Sequence, residues 1–426
     1  VPRRGLPGLA GVRAHLSVPL FLTAYLLILS SAAQSGLGLV FWALGARLYS
    51  AHWVGDSTTV ISVALLLSTV GQLGMSSLIV RYLPVAHSRS RHFVIVCYAA
   101  AVTVALLATA AAVASVSLWS PPLVFLRNDG WWLLLFVLSS VTGTIFQLED
   151  SVMVGLHRTK WVPVENIAFA VSRVVLIVLL AHVLSDSGIV LASAIPSVLL
   201  PIVVNAAIFW RFLPSRLREA GERPAEWEVQ DVRRLVFGNY VGSLAEMGSL
   251  YLLPVIVTNR LGASSEAYFY IPWQVMTGLT VLAANMSASL SVETAAGEEL
   301  RRHVLSALKF VLGVLGSTAV VVGLVAHPLL LVFGTKYADS GAWALRWMLL
   351  ATIPTGITMT GLAVARIHHN GRLIACTQLL GAVTLVLVSF LLLPDYGIDG
   401  AGVAALLSAT LAMGVVAPTL WRALRS

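Results

Sequence analysis

The chain is divided into long runs that contain no Asp, Glu, Lys or Arg, among them 14–46, 57–80, 92–126 and 267–292. A hydrocarbon core about 30 Å thick is crossed by about 20 helical residues, so each run is long enough to span a bilayer. Lipid offers the backbone no water to bond, which leaves such runs the α-helix or a closed barrel, and their unbroken apolar character selects the helix. Composition agrees: of 426 residues 58% are hydrophobic and 11% charged, where a soluble domain carries roughly 25% charge. The expected fold class is an all-α polytopic membrane protein.

The runs, with the charges that end them, predict about twelve transmembrane helices near 18–46, 55–80, 93–120, 131–148, 162–184, 187–210, 235–259, 266–290, 308–333, 343–365, 373–394 and 398–421. From Val18 onward the first run exceeds the apolar region of a signal peptide, so a retained helix is expected. Of the 27 basic residues, Arg47, Arg127, Arg260, Lys336 and Arg346 fall on one side of these spans, Arg173 falls deep within one, and the other 21 fall on the opposite side. Basic residues accumulate on the cytoplasmic side. Both termini are therefore expected in the cytoplasm, in a multi-pass protein of a bacterial cytoplasmic (inner) membrane. The net charge of +8 is spread between spans rather than gathered on a stripe, so no nucleic acid partner is expected.

The longest polar segment, 211–234, mixes six arginines with five acidic residues at mid-chain. It reads as a cytoplasmic linker between an N-terminal six-helix lobe (1–210) and a C-terminal one (235–426). At an offset of 213 residues Leu37, Leu39, Arg47 and Leu48 fall on Leu250, Leu252, Arg260 and Leu261. Two halves of the same sense form a parallel repeat, a recurrent transporter design.

Several chemistries have no foothold. There is no GxxxxGK[ST] phosphate loop, no HExxH and no Cys/His cluster of ligand spacing, so no metal or organic cofactor is expected. Cys97 and Cys376 lie in apolar runs and read as small packing residues. The connections on the expected outer side are short, which leaves an enzyme little room to hold a sugar.

Charge inside a membrane is expensive and points to function. Glu165 and Arg173 fall in the fifth span and Glu246 in the seventh. Arg173 lies 12 residues past Trp161, and Glu246 lies 12 past Arg234, which puts both about 18 Å from the inner surface. Glu165 and Arg173 share a face but stand about 12 Å apart along the axis, too far to pair directly. Arg173 needs another partner: Glu246 in a buried strut between the halves, a polar cavity, or an anionic ligand. Polar stripes mark the seventh span (Asn239, Gly242, Ser243, Glu246, Ser249) and the first (Thr23, Ser30, Gln34, Gly38). They serve helix packing or line a central cleft. In the eighth span Tyr268, Phe269, Tyr270 and Trp273 read as an interfacial aromatic belt, with Gln274, Thr277 and Asn285 deeper.

Short motifs then resemble those of the polysaccharide and lipid-linked oligosaccharide flippases. These belong to the exporter superfamily that also holds the multidrug and toxin extruders and the lipid II flippases. Ala46-Arg47-Leu48 and Asn259-Arg260-Leu261-Gly262, the latter before Tyr268-Phe269-Tyr270, are similar to the Arg-Leu-Gly signature that recurs in each half. The first copy departs from the usual Gly-Pro turn with Tyr49-Ser50-Ala51. Gly71 to Met75 leading to Val80-Arg81-Tyr82-Leu83-Pro84 resembles the end of the second helix, and Asp150 to Arg158 with Asn166 and Arg173 the fourth-to-fifth helix region. The resemblance implies a MATE-like fold of two pseudo-symmetric lobes around a cleft that opens alternately to either side. It also implies a polyprenyl-pyrophosphate-linked oligosaccharide as cargo, with no covalent chemistry.

On this reading Arg173, Gln34, Asn166, Asn239, Gln274 and Asn285 contact substrate. Glu246 and Glu165 couple transport to H⁺ or Na⁺. The expected partners are the lipid-linked oligosaccharide, membrane lipids, and a polysaccharide polymerase or glycosyltransferases. A cation-coupled multidrug exporter of the same fold and a membrane-bound enzyme of glycan assembly remain the alternatives.

Overall fold

The computed structural model describes the backbone of residues 19–215, 229–295, 300–368 and 370–425, and their side chains except those of 19–32, 229–243, 246, 282 and 285–295. Every regular element among these residues is helical. Eight stretches are long and apolar enough to cross a membrane. Three more helices, of 30, 33 and 33 residues, and a break at Gly397 within Gly371–Arg425 bring the number of spanning helices to twelve. The first lobe holds α1 (Pro19–Leu48), α2 (Ala51–Gly71), α3 (Ser90–Ala114), α4 (Gly130–Gly155), α5 (Trp161–Leu180) and α6 (Gly188–Ala207). The second holds α7 (Val229–Leu261), α8 (Ala263–Ala295), α9 (Leu300–Leu324), α10 (Thr335–Ile367), α11 (371–396) and α12 (398–425). Of the expected linker, 211–215 and 229–234 are helical, and 216–228 lie outside the described residues.

Local chemistry explains the corners. α7 ends at Leu261 because Gly262 adopts φ +86°, a left-handed conformation that stops a helix, and α8 starts at the next residue. The Arg-Leu-Gly signature is thus a helix stop. In the first half Tyr49 replaces that glycine, and the turn is made differently: the Ser50 side chain accepts a hydrogen bond from the Trp53 amide and starts α2. Between α11 and α12 the one non-helical residue is Gly397, at φ +57°. The chain folds back so tightly that a Cβ on Gly400 would lie 2.7 Å from the carbonyl oxygen of Leu392.

Lipid tails are as apolar as leucine, so helices associate there by close packing and hydrogen bonds. The lobes do both most densely at one end, and α7 also runs against the first-lobe helix Met75–Tyr82. A Cβ on Gly55 of α2 would stand 1.7 Å from the Ala263 carbonyl oxygen, so the backbones of α2 and α8 touch. Next to them the hydroxyls of Thr59 and Thr258 are 2.6 Å apart, and Thr58 bonds to Glu266. Asn259 of α7 donates to the Trp119 carbonyl (2.8 Å) and accepts from Ser120 (2.6 Å). Arg47, at the end of α1, donates to the carbonyls of Leu331 and Val332 where the short helix Ala326–Leu331 of the other lobe terminates (2.6 and 2.8 Å). A large apolar cluster backs this seam and draws Phe41, Trp42, Ile177 and Ile189 from one lobe and Tyr270, Ile271, Leu330 and Tyr337 from the other. We call this the closed end. At the far end, the apolar clusters among the described residues each stay within one lobe: Leu78 to Ala86 with Leu148 to Leu156 and Ile208 to Leu213 in the first, Val304 with Leu362 to Val364 and Val416 to Ala423 in the second.

The expected aromatic belt of α8 is corrected by the packing. Phe269, Tyr270 and Trp273 are buried, and Tyr268 packs edge-on against Tyr337. They fill the lobe interior and the seam, because the helix turns these residues away from lipid. Exposed tryptophans at helix ends, Trp131, Trp161, Trp343 and Trp421 among them, are the ones suited to the headgroup region.

Candidate functional site: the cleft between the lobes and the carboxyl pocket beside it

Arg173, midway along α5, does not form an ion pair with any described carboxylate. Its guanidinium lies over the ring of Phe41 of α1 at 3.9 Å and near Phe169 at 5.3 Å, and its Nε has no hydrogen-bond partner. Such stacking retains the charge while leaving planar donors free for an anion. Across the lobe boundary it stands beside Tyr270 of α8, next to the side chain of Gln274. Ser35 of α1 and Gly278 of α8 approach to van der Waals contact one turn deeper. Arg173, Gln274 and the residues around Gln34 therefore border one junction between the lobes.

Gln34 donates to the Asn166 side chain at 3.2 Å, and Asn166 stands next to Asp150 of α4. Here the structure reveals what the sequence reading missed. That reading ends the fourth span at 148, but α4 continues to Gly155 and carries Glu149 and Asp150 into the lobe. Glu149 is fully buried and faces Glu165, itself 4% exposed. Tyr98 of α3 stands close to all three carboxyls, and Asn205 of α6 donates to Glu149 at 2.6 Å. The pocket is short of donors. Glu149 Oε1, Asp150 Oδ1, both oxygens of Glu165, Asn205 Oδ1 and the Tyr98 hydroxyl have no hydrogen-bond partner among the described residues. Buried acceptors rarely remain orphaned, so this arrangement calls for protons on the carboxyls.

The structure thus joins Gln34 to Asn166, sets Glu165 in the neighbouring carboxyl pocket, and places Arg173 and Gln274 at the lobe junction. The side chains of Asn239, Glu246 and Asn285 lie outside the described residues, and with them the strut between Arg173 and Glu246. A mostly apolar cavity of about 190 Å³ lies within the second lobe, with Ser249, Thr355, Gln378 and Ser408 among its lining residues.

The polysaccharide biosynthesis protein family matches residues 23–240, all but the first four described residues of the first lobe and the start of the second. The chain belongs to this family. No curated protein matches it in sequence. Among solved structures, an inward-facing multidrug resistance transporter of the MATE family, MOP superfamily, superposes with a TM-score of 0.68 at 13% identity, over 93% of this chain and 96% of that one. The lipid II flippase MurJ, inward closed, gives 0.68 at 13% identity over 92% and 87%. A MATE transporter of Vibrio cholerae gives 0.58 at 16% identity over 97% and 98%. At these identities the likeness establishes the fold, and this polysaccharide biosynthesis family member has the two-lobed architecture of MOP transporters and flippases.

Proposed function

We propose that the protein flips a polyprenyl-pyrophosphate-linked oligosaccharide across the cytoplasmic membrane by alternating access, moving cargo without covalent change and supplying polysaccharide assembly on the other side. The observation that carries this reading is Arg173: a fixed guanidinium at a lobe junction, stacked on Phe41 and free of carboxylate partners among the described residues. A pyrophosphate offers the forked acceptor geometry that such a group binds best. The sugar crosses through the polar junction while the lipid tail stays in the bilayer. With the lobes joined at the end that the basic residues assign to the outside, this is the state that receives cargo from the cytoplasm. The carboxyl pocket of Glu149, Asp150 and Glu165 takes up H⁺ or Na⁺ and couples the cycle to a gradient.

The same acidic pocket favours a second reading, a cation-coupled exporter of organic cations. Reconstituted vesicles separate the two. Flipping of a polyprenyl-pyrophosphate-linked saccharide that is lost in Arg173→Ala and impaired in Arg173→Lys supports the flippase. A charge-assisted hydrogen bond contributes about 1.5 to 3 kcal/mol, so the alanine variant should bind the headgroup roughly ten- to a hundredfold more weakly. Full flipping by a folded Arg173→Ala protein defeats this role, and gradient-driven efflux of organic cations with no lipid flipping selects the exporter.

A further inference from the structure

The proposed cycle leaves two buried carboxyls unused, Asp56 and Glu266, which lie next to each other at the closed end. Glu266 lies in the first turn of α8 at the closed end and is fully buried. Its Oε1 has no hydrogen-bond partner, and its Oε2 meets the Thr58 hydroxyl across the lobe boundary. That hydroxyl also lies 3.0 Å from the Val54 carbonyl oxygen and 2.8 Å from that of Gly55. A hydroxyl has one proton to give. Once it is donated back along α2, as threonines in spanning helices do, the contact with Glu266 requires a proton on the carboxyl.

The surroundings offer no counter-charge. The titratable groups that face Glu266 are Asp56 of α2, Tyr270 on α8 itself and Tyr337 of α10. Tyr251 of α7 and Arg173 of α5 stand beside Tyr270, and the Arg173 guanidinium is spread over Phe41. Arg47, at the same end, is engaged by the carbonyls of Leu331 and Val332. A bare carboxylate buried among these groups is strongly disfavoured. There is also a route to water. Asp56, buried next to Glu266, lies 3.5 Å from Nδ1 of His52, whose side chain is 63% exposed on the closed face.

We propose that Glu266 is a proton-binding gate residue: closing the lobes at this end places one proton on Glu266 from the water on that side, and parting them returns it to the same water. The inference rests on the alternating-access reading above. The gate proton never crosses the membrane, which distinguishes it from a coupling ion in the carboxyl pocket. Acid on the closed-end side holds the lobes together, and alkali there releases them.

Pulsed electron paramagnetic resonance on the full chain in lipid nanodiscs tests this. Spin labels on Asn128→Cys and Lys336→Cys, both exposed at the closed end, with Cys376→Ser to remove the exposed native thiol, report the width of that end. With one proton bound on closure, the closed-to-open ratio should fall by about tenfold per pH unit across the sensitive range. Glu266→Gln, a neutral isostere, should stay closed at every pH. Should the glutamine variant fail to fold, Thr58→Val serves: without the hydroxyl the closed state is weaker, and opening should begin at lower pH. A Glu266→Gln protein that opens with the original pH profile, or an unmoved midpoint in Thr58→Val, overturns the gate alone. A distance that never changes, with or without a polyprenyl-pyrophosphate lipid, overturns alternating access and the gate with it.

Discussion

Glu149 and Glu165 face one another inside a helical lobe with a single described donor, Asn205, between them and the rest of the protein. Two carboxyls so placed share whatever positive charge the pocket takes up. Glu149→Gln retains an oxygen for Asn205 and removes the titration, so the variant should fold, and its flipping should become independent of the driving gradient. Vesicles with imposed proton or sodium gradients measure this, and a gradient response of unaltered size would take Glu149 out of coupling. How much of this was legible in the sequence differs residue by residue. Glu165 and Arg173 stand out because each interrupts an apolar run. Glu149 and Asp150 look like the polar edge of a span, since charge ends most spans, and only the absence of a stop signal before Gly155 hints that the helix runs on. The stacking of Arg173 on Phe41 joins residues 132 positions apart in sequence, and no local pattern carries it.

At the scale of elements, α2 and α8 are the contact that decides whether the closed end can form. Gly55→Val would drive side-chain carbons into the Ala263 carbonyl, and backbone cannot yield there. The expected result is a protein held open at this end. Thr258, 1% exposed in the closed arrangement, reports it: Thr258→Cys should react with a membrane-impermeant thiol reagent in the Gly55→Val background and resist it with Gly55 in place. Gly262→Ala tests the helix stop, since a side chain at φ +86° is strained and should lower stability by about 1 kcal/mol, read as a reduced unfolding temperature in detergent. The sequence located these turns because Arg-Leu-Gly punctuates the chain. It misjudged the face of α8, because depth along a helix follows from counting residues whereas facing depends on neighbours distant in the chain.

For the whole molecule, twelve helices and the skew of basic residues predict both termini on the cytoplasmic side. A reporter active only outside the cytoplasm should give signal when fused near Asp129 or Lys336 and none at the C-terminus; a bright C-terminal fusion would invert the topology and with it the side on which the gate senses acid. The seam at the closed end combines a glycine contact, side-chain hydrogen bonds and the apolar cluster shared by both lobes. Hydrogen bonds between helices in membranes average about 0.6 kcal/mol each, so the shared apolar packing carries much of the contact.

The turn at Gly397 bears on how the protein is made. Since α11 and α12 are joined with no intervening loop, and Gly400 is pressed against Leu392, the ribosome delivers the second helix directly behind the first. The two are expected to enter the bilayer as one hairpin rather than in succession, which insertion assays on chains truncated before and after α12 would measure. A nascent chain stalled before α12 emerges would present α11 to the translocon without the surface formed by Ala401, Ala404 and Ala405, against which Leu385 and Leu393 pack, and biogenesis at that stage becomes the step most exposed to quality control.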